Sequence, residues 1–150
     1  MKDKLALLGF VVAVVGLGIA IGLLTAPGAW YAALAKPSFQ PAAWIFGPVW
    51  TALYVLIAIA GWRVWRAGWR DLIGLWFAQM ALNFLWSPVF FGAHRIALAL
   101  GIISLLLATI LAFMALGARR DRWAVILFAP YALWVGFATI LNAAIWKLNS

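Results

Sequence analysis

The chain has no cysteine and no glutamate, a single histidine, His94, and only three acids, Asp3, Asp71 and Asp121. Without thiols, disulfides and thiolate chemistry are excluded. One histidine and three dispersed carboxylates leave no cluster with metal-ligand spacing, so a structural zinc site is excluded too. Paired carboxylates for general acid and base work are missing. There is no phosphate-binding glycine loop, no G-x-S-x-G turn and no nucleophile beside a base. Charge of any sign is scarce, at 9% of 150 residues, where soluble domains carry about 25%.

What is abundant is hydrocarbon. Hydrophobic residues make up 69% of the chain and mean hydropathy is +1.10, which excludes a soluble globular domain. At about 20 apolar residues per membrane span, the length admits five spans with short connections and no separate soluble domain. The sequence therefore predicts an all-α membrane protein, a five-transmembrane-helix bundle forming one domain over 1–150. Its helices fall at about 5–25, 44–65, 72–91, 96–116 and 123–146, with a long loop at 26–43.

The first span follows Lys2 and Lys4 and exceeds the roughly 7–15 apolar residues of a signal-peptide core, so it reads as a retained helix. The loop at 26–43 holds Pro27, Gly28, Pro37 and Pro41 and is too interrupted for a continuous helix. Pro48 is placed in the first turn of the second span, where a missing donor is harmless. Pro88 should bend or finish the third span, and Pro130 should kink the fifth.

The net charge of +8 does not indicate nucleic acid. Lys and Arg fall in short clusters between apolar runs, where they meet lipid headgroups and set topology. One face collects Lys2, Lys4, Arg63, Arg66, Arg70, Arg119, Arg120 and Arg122, and the other Lys36, Arg95 and Lys147. This asymmetry predicts the N-terminus on the more positive face, cytoplasmic in an inner membrane, with the long loop and the C-terminus opposite; the sequence does not choose between inner and outer membranes.

No span holds the internal Asp, Glu, Lys or Arg of an ion-coupled pump. Three spans instead carry a mixed aromatic and amide stripe at helical spacing. Phe46, Trp50 and Tyr54 form the first; Gln79, Asn83 and Trp86, with Ser87 beside them, the second; Tyr131, Trp134, Ala138 and Asn142 the third. Asn83 and Asn142 are costly in hydrocarbon without partners and should face the bundle interior. Two readings stay open: amides as packing glue, or amides as the polar points of a pocket.

Trp62, Trp65, Trp69, Trp123 and Trp146 lie near span ends and fit an interfacial belt, whereas Trp50, Tyr54 and Trp134 lie deeper. An uncharged cavity walled by Trp and Tyr suits a large, flat, mostly apolar ligand whose ring can stack. The long first loop is the natural lid, with Lys36 or a backbone donor available to a carboxylate at the ligand's rim. His94, alone beside Arg95, reads as an interfacial polar residue, with ligation of a haem iron as the alternative. Small residues four apart, at Gly18 and Gly22, Gly74 and Ala78, and Ala132 and Gly136, allow close helix approach. Gly74 with Ala78 is the candidate seam of a homodimer.

The chain resembles the tryptophan-rich sensory protein family, bacterial relatives of the mitochondrial translocator protein or peripheral benzodiazepine receptor. The likeness runs from Trp30-Tyr31, Leu34, Lys36-Pro37 and Pro41 through Phe46, Pro48, Trp50-Thr51 and Tyr54. It resumes at Gln79, Asn83, Trp86-Ser87-Pro88 and Phe91, and closes with Pro130-Tyr131, Trp134, Ala138, Leu141-Asn142 and Asn149. The resemblance implies a five-helix bundle, often dimeric, whose first loop closes a pocket. It also implies binding of porphyrins and haem, with no obligatory cofactor, and of sterols and isoquinoline or benzodiazepine drugs.

By matched position, Trp50, Tyr54, Asn83, Trp86, Trp134, Ala138 and Asn142 line that pocket, Phe46 shares the stripe of Trp50, and Trp30, Tyr31 and Pro41 belong to the lid. Porphyrin breakdown in light by some members implicates the positions of Trp50 and Trp134, the only candidates for catalytic residues. Ser38 and Pro41-Ala42 depart from a Trp and a Pro-Pro pair in many relatives, and Ile145-Trp146-Lys147 lacks the tyrosine of a sterol pattern. A receptor or transport protein for tetrapyrroles is the leading expectation. A light- and oxygen-dependent tetrapyrrole-degrading enzyme and a regulatory protein acting through a protein partner are the alternatives.

Overall fold

A computed structural model describes residues 2–150. Five helices are long and apolar enough to cross a membrane. In chain order the helices are α1 (Lys2–Leu24), a short α2 (Ala29–Ala33), α3 (Ala43–Ala67), α4 (Arg70–Ser87), α5 (Ile96–Gly117) and α6 (Arg122–Leu148), with a π turn at Pro88–Gly92 after α4. The long loop thus contains one helical turn and a half of its own between Gly28 and Leu34.

Local chemistry sets the ends. Gly68 ends α3 in the left-handed region, at φ 72, and its N–H reaches back to the carbonyls of Val64 and Trp65, a conformation that suits a residue without a Cβ. Asp121 starts α6 by accepting the N–H groups of Trp123 and Ala124, which relieves two of the orphan donors at a helix start. Pro48 lies inside α3 as its sixth residue, one position further in than the sequence suggested, because α3 begins at Ala43. Pro88 does not end its span: the backbone widens into the π turn, closed by Ala93 N–H to Pro88 C=O at 2.8 Å. α6 continues past Pro130, although proline there leaves the Ile126 carbonyl without its usual donor.

Around the bundle, α1 packs on α3, α3 on α6, α6 on α5 and α5 on α4, and α4 closes the ring against α3 and α1. The main core draws Leu53, Ile57 and Val64 of α3 against Trp76 and Met80 of α4, Ile110 and Phe113 of α5, and Phe128 and Val135 of α6. The outward faces are as apolar as the inside: Leu133 is 77% exposed and Leu24 85%. Such a surface is stable only against lipid, since large exposed apolar area in water drives association.

Two glycines permit the closest approaches. A Cβ on Gly18 of α1 would stand inside the Tyr54 ring, and one on Gly61 of α3 inside the Trp76 ring. Gly22, four residues on from Gly18, meets nothing within 4 Å, so only the first member of that pair serves packing here.

All three acids sit at one end, each paired with an arginine from another element. Asp121 meets Arg63 at 2.8 Å, Asp71 meets Arg120 at 2.7 Å, and Asp3 meets Arg66 at 3.9 Å. These pairs tie the start of α6 to α3, α4 to the α5–α6 connection, and α1 to α3. Among the described residues, Lys2, Lys4, Arg70, Arg119 and Arg122 remain at that end without a carboxylate partner.

Candidate functional site

The three stripes converge inside the bundle and are joined by a chain of hydrogen bonds. The Tyr54 hydroxyl donates to Asn83 Oδ1 at 3.1 Å, Asn83 Nδ2 donates to the Tyr131 hydroxyl at 2.8 Å, and that hydroxyl donates to Gln79 Oε1 at 2.7 Å. Gln79 Nε2 ends the chain on the Trp76 carbonyl at 2.9 Å. Tyr131 and Gln79 have no exposed surface, and Asn83 is buried. In hydrocarbon an unpaired amide is expensive, and here each of these groups finds a partner on a different helix or on the backbone. Trp50 lies over this chain, its ring 5.5 Å from that of Tyr54 and 6.3 Å from that of Tyr131.

A second amide lies nearer the lid. Trp86 Nε1 donates to Asn142 Oδ1 at 3.0 Å, and Asn142 Nδ2 donates to the Ile96 carbonyl at 3.1 Å, which joins α4, α6 and the start of α5. Ala138, one turn before Asn142, is buried on that face of α6. Phe46 meets Trp134 edge-on at 5.6 Å, and Trp134 meets Phe137 at 5.7 Å. The pocket candidates therefore divide into two neighbouring groups, one around Tyr54 and Asn83, the other around Trp86 and Asn142.

The lid rests on the second group. Trp30 stacks on His94 at 4.1 Å and 14° and meets Phe90 edge-on at 6.1 Å. Tyr31 packs against Phe90 at 6.0 Å and Phe91 at 5.1 Å. Pro41 is half-buried at the far end of the loop.

Asn149 clasps the middle of the lid. Its Oδ1 accepts the Ala35 N–H and its Nδ2 donates to the Ala35 carbonyl, both at 2.9 Å, with a further bond to the Ile145 carbonyl at 2.7 Å. The start of the loop is fixed by Thr25, whose hydroxyl meets that of Ser87. His94 holds φ 57, the left-handed region that side chains with a Cβ seldom occupy, and it does so where its ring covers Trp30.

Lys36, a candidate for a ligand carboxylate, has its ammonium on the Ala32 and Leu34 carbonyls at 3.1 and 3.0 Å and over the Tyr31 ring at 4.8 Å. It closes the end of α2. Burial pushes the Tyr31 phenol above its ordinary 10.0, against a hydrogen bond from Gln40 that lowers it. Beside His94 and Arg95, a shallow depression of about 290 Å³ is lined also by Trp146 and Asn149.

Spacing puts Tyr131 and Gln79 on the right stripes but does not assign them to the pocket, and in sequence His94 reads as an interfacial polar residue. Phe90, buried under the lid, went unremarked because the π turn that presents it has no sequence signature of its own. Gln40 also went unremarked; its position between Pro37 and Pro41 was the available signal.

Fold and interior together define a multi-pass helical membrane protein whose core carries aromatic rings and neutral amides under a fastened loop. The TspO/MBR family pattern matches residues 10–147, and the chain belongs to that family. It is 38% identical to Protein CrtK of Rhodobacter capsulatus, over 87% of this chain and 84% of that protein. Identity is 40% to the tryptophan-rich sensory protein of Cereibacter sphaeroides, over 85% and 82% of the two chains. It is 37% to the translocator protein of Homo sapiens, over 80% and 75%.

Proposed function

We propose that this protein is a receptor or carrier for flat, largely apolar ring ligands, tetrapyrroles such as protoporphyrin IX and haem foremost, bound in the interior behind the lid. The observation that carries this reading is the gathering of Phe46, Trp50, Tyr54 and Trp134 around neutral polar groups, beneath a loop held by a few discrete contacts. Aromatic faces offer stacking to a ring, and the amides supply orientation without a charge. The names of the relatives, sensory and translocator proteins, accord with ligand recognition in a membrane. The same interior suits other flat apolar ligands, sterols and isoquinoline or benzodiazepine types among them.

Titration of the purified protein with protoporphyrin IX in the dark tests the reading through tryptophan fluorescence. Saturable quenching, weakened in Trp50→Ala, supports it; linear, non-saturating quenching identical to that of detergent micelles overturns it. Illuminating the saturated sample in air addresses the second reading, tetrapyrrole breakdown, which the contact of Trp50 with Tyr54 favours because adjacent aromatic rings can share an oxidised state. A product formed by wild type and lost in Trp50→Phe or Trp134→Phe assigns the chemistry to the protein. A protein partner becomes the reading if no small ligand saturates and a second chain copurifies. For a homodimer, Gly74 and Ala78 of α4 are the proposed seam, since both are exposed on its outer face and small enough for close approach.

A further inference from the structure

The lid meets the bundle through the Thr25 hydroxyl on that of Ser87, Trp30 on His94, Tyr31 against Phe90 and Phe91, Ala35 on the Asn149 amide, and Phe39 against Phe137. All but one of these contacts join groups that stay uncharged near neutral pH. The exception is Trp30 on His94, because an imidazole ordinarily gains its proton between about pH 5 and 8. His94 is the chain's only histidine, and cysteine and glutamate are absent. Aspartates ordinarily titrate near 4 and tyrosines and lysines near 10, so no other side chain ordinarily changes charge in that range.

The backbone presents the His94 ring rigidly. On either side of it the chain is pinned to the π turn, Ala93 N–H to the Pro88 carbonyl at 2.8 Å and Arg95 N–H to the Val89 carbonyl at 3.1 Å. Between these bonds His94 turns through φ 57, a region that histidine enters more readily than most residues with a Cβ. Its ring then lies nearly parallel to the Trp30 indole, at 4.1 Å and 14°. In that arrangement a positive charge on the imidazole sits over the face of the indole, where the ring quadrupole attracts it. His94 is exposed, so protons reach it from water while the lid is seated.

The surrounding charges leave Trp30 as the group that makes the difference. All three aspartates are paired with arginines at the far end of the bundle, so among the described residues no acidic side chain competes for an imidazolium. Arg95, Lys147 and the Ser150 carboxyl belong to the bundle side, where Arg95 and Ser150 line the depression beside His94. They act on His94 whether or not Trp30 is seated. Lys36 is the one charge carried by residues 26–42, and its ammonium is taken up by the Ala32 and Leu34 carbonyls and the Tyr31 ring. What seating the lid adds at His94 is therefore the indole face.

We propose that the stack of His94 on Trp30 is a proton-operated latch: an imidazolium at His94 grips the indole more tightly than the neutral ring does, so the lid is held more firmly as pH falls from about 8 to about 5. The added attraction is that of a cation over an exposed aromatic face. It comes on top of a stack already formed by the neutral rings, so the latch biases the lid and does not lock it. The device belongs to the lid alone and stands whether or not a ring ligand binds behind it.

Amide exchange of the full chain in detergent, at about pH 5.5 and about pH 7.5, tests this. Each rate is divided by that of an unstructured peptide at the same pH, which leaves the protection due to the lid. The reporters are the N–H groups of Ala32, Leu34 and Ala35, all hydrogen-bonded in the seated lid. In wild type their protection is expected to be about twofold to fivefold greater at the lower pH, the worth of one exposed cation–aromatic contact. His94→Asn accepts the left-handed backbone but has neither the ring nor the titration, and Trp30→Leu leaves the histidine nothing to stack on. Each variant should show the same lid protection at both pH values, with α3 to α6 protected as in wild type. Equal protection of the wild-type lid at the two pH values, or lower protection at the lower one, overturns the latch. A pH difference that survives in His94→Asn or Trp30→Leu overturns it as well, since the response then comes from another group.

Discussion

Tyr131 is the residue on which the interior turns. Its hydroxyl takes a hydrogen bond from Asn83 and gives one to Gln79, so its removal orphans two amides at once, whereas removing the Tyr54 hydroxyl orphans only Asn83 Oδ1. An unsatisfied buried group costs about 1–3 kcal/mol in a soluble protein, and interhelical bonds in membranes average about 0.6 kcal/mol. Tyr131→Phe is therefore expected to lower stability by about 1–2 kcal/mol and Tyr54→Phe by about half as much. Unfolding in mixed micelles with increasing dodecyl sulfate measures both. Equal losses in the two variants would show that the chain is not centred on Tyr131. The sequence placed all four members of this chain on their helix faces by spacing alone. It did not show that Tyr131 bridges Gln79 and Asn83, because those bonds join residues 52 and 48 positions apart.

At the scale of elements, the helix ends carry the electrostatics. Burial pushes the Asp121 carboxyl up, but the Arg63 guanidinium and the N–H groups of Ala124 and Trp123 outweigh it and hold the carboxyl below its ordinary 3.8. A depressed carboxylate contributes stability that is fully present above its unfolded value and is lost as pH falls through the folded one. The tie between α3 and α6 should thus weaken only below the ordinary carboxylate range. Asp121→Asn keeps an N-cap oxygen and loses the charge, so its melting temperature in detergent should fall less steeply than that of wild type as pH drops from 5 towards 2, on the order of one carboxylate's share. Parallel curves for the two proteins would remove Arg63 and Asp121 from the account.

The lid offers a second test at this scale. Asn149→Leu removes the paired bonds to Ala35 while leaving the bundle core untouched, so amide exchange across residues 26–42 should accelerate with little change in melting temperature. Unchanged exchange would mean that the His94–Trp30 stack holds the lid by itself. That fastening was not legible beforehand: the loop's proline content announced an irregular segment, but its clasp comes from a side chain 114 residues away. The spans themselves were legible to within a few residues, because an apolar run bounded by arginines needs no tertiary information. The regular α-helix of the third span does finish at Pro88, as expected, but the π turn that prolongs the span to Gly92 depends on backbone bonding that composition does not encode.

For the whole molecule, the distribution of cations predicts a direction in the membrane. Orientation follows the count of Lys and Arg in the short loops, to which carboxylates contribute little, so the three ion pairs do not cancel the bias. The pairs have a different role: each joins two elements, leaving Lys2, Lys4, Arg70, Arg119 and Arg122 free to meet anionic headgroups on one side. We therefore expect the N-terminus on the more positive face, cytoplasmic if the protein resides in an inner membrane, and the lid, His94 and the C-terminus on the other. That arrangement would place the proposed site's cover towards the compartment outside the cytoplasm. Reporter fusions that fluoresce only in the cytoplasm and reporters active only outside it, joined to either end, measure this directly. Among the described residues Arg119 and Arg122 make no ion pair, so replacing both by glutamine removes part of the bias without breaking an ion pair between helices. A mixed population should result, with both reporters active at both ends. A wild-type C-terminus that lights the cytoplasmic reporter would reverse the assignment, and ligands would then reach the lid from within the cell.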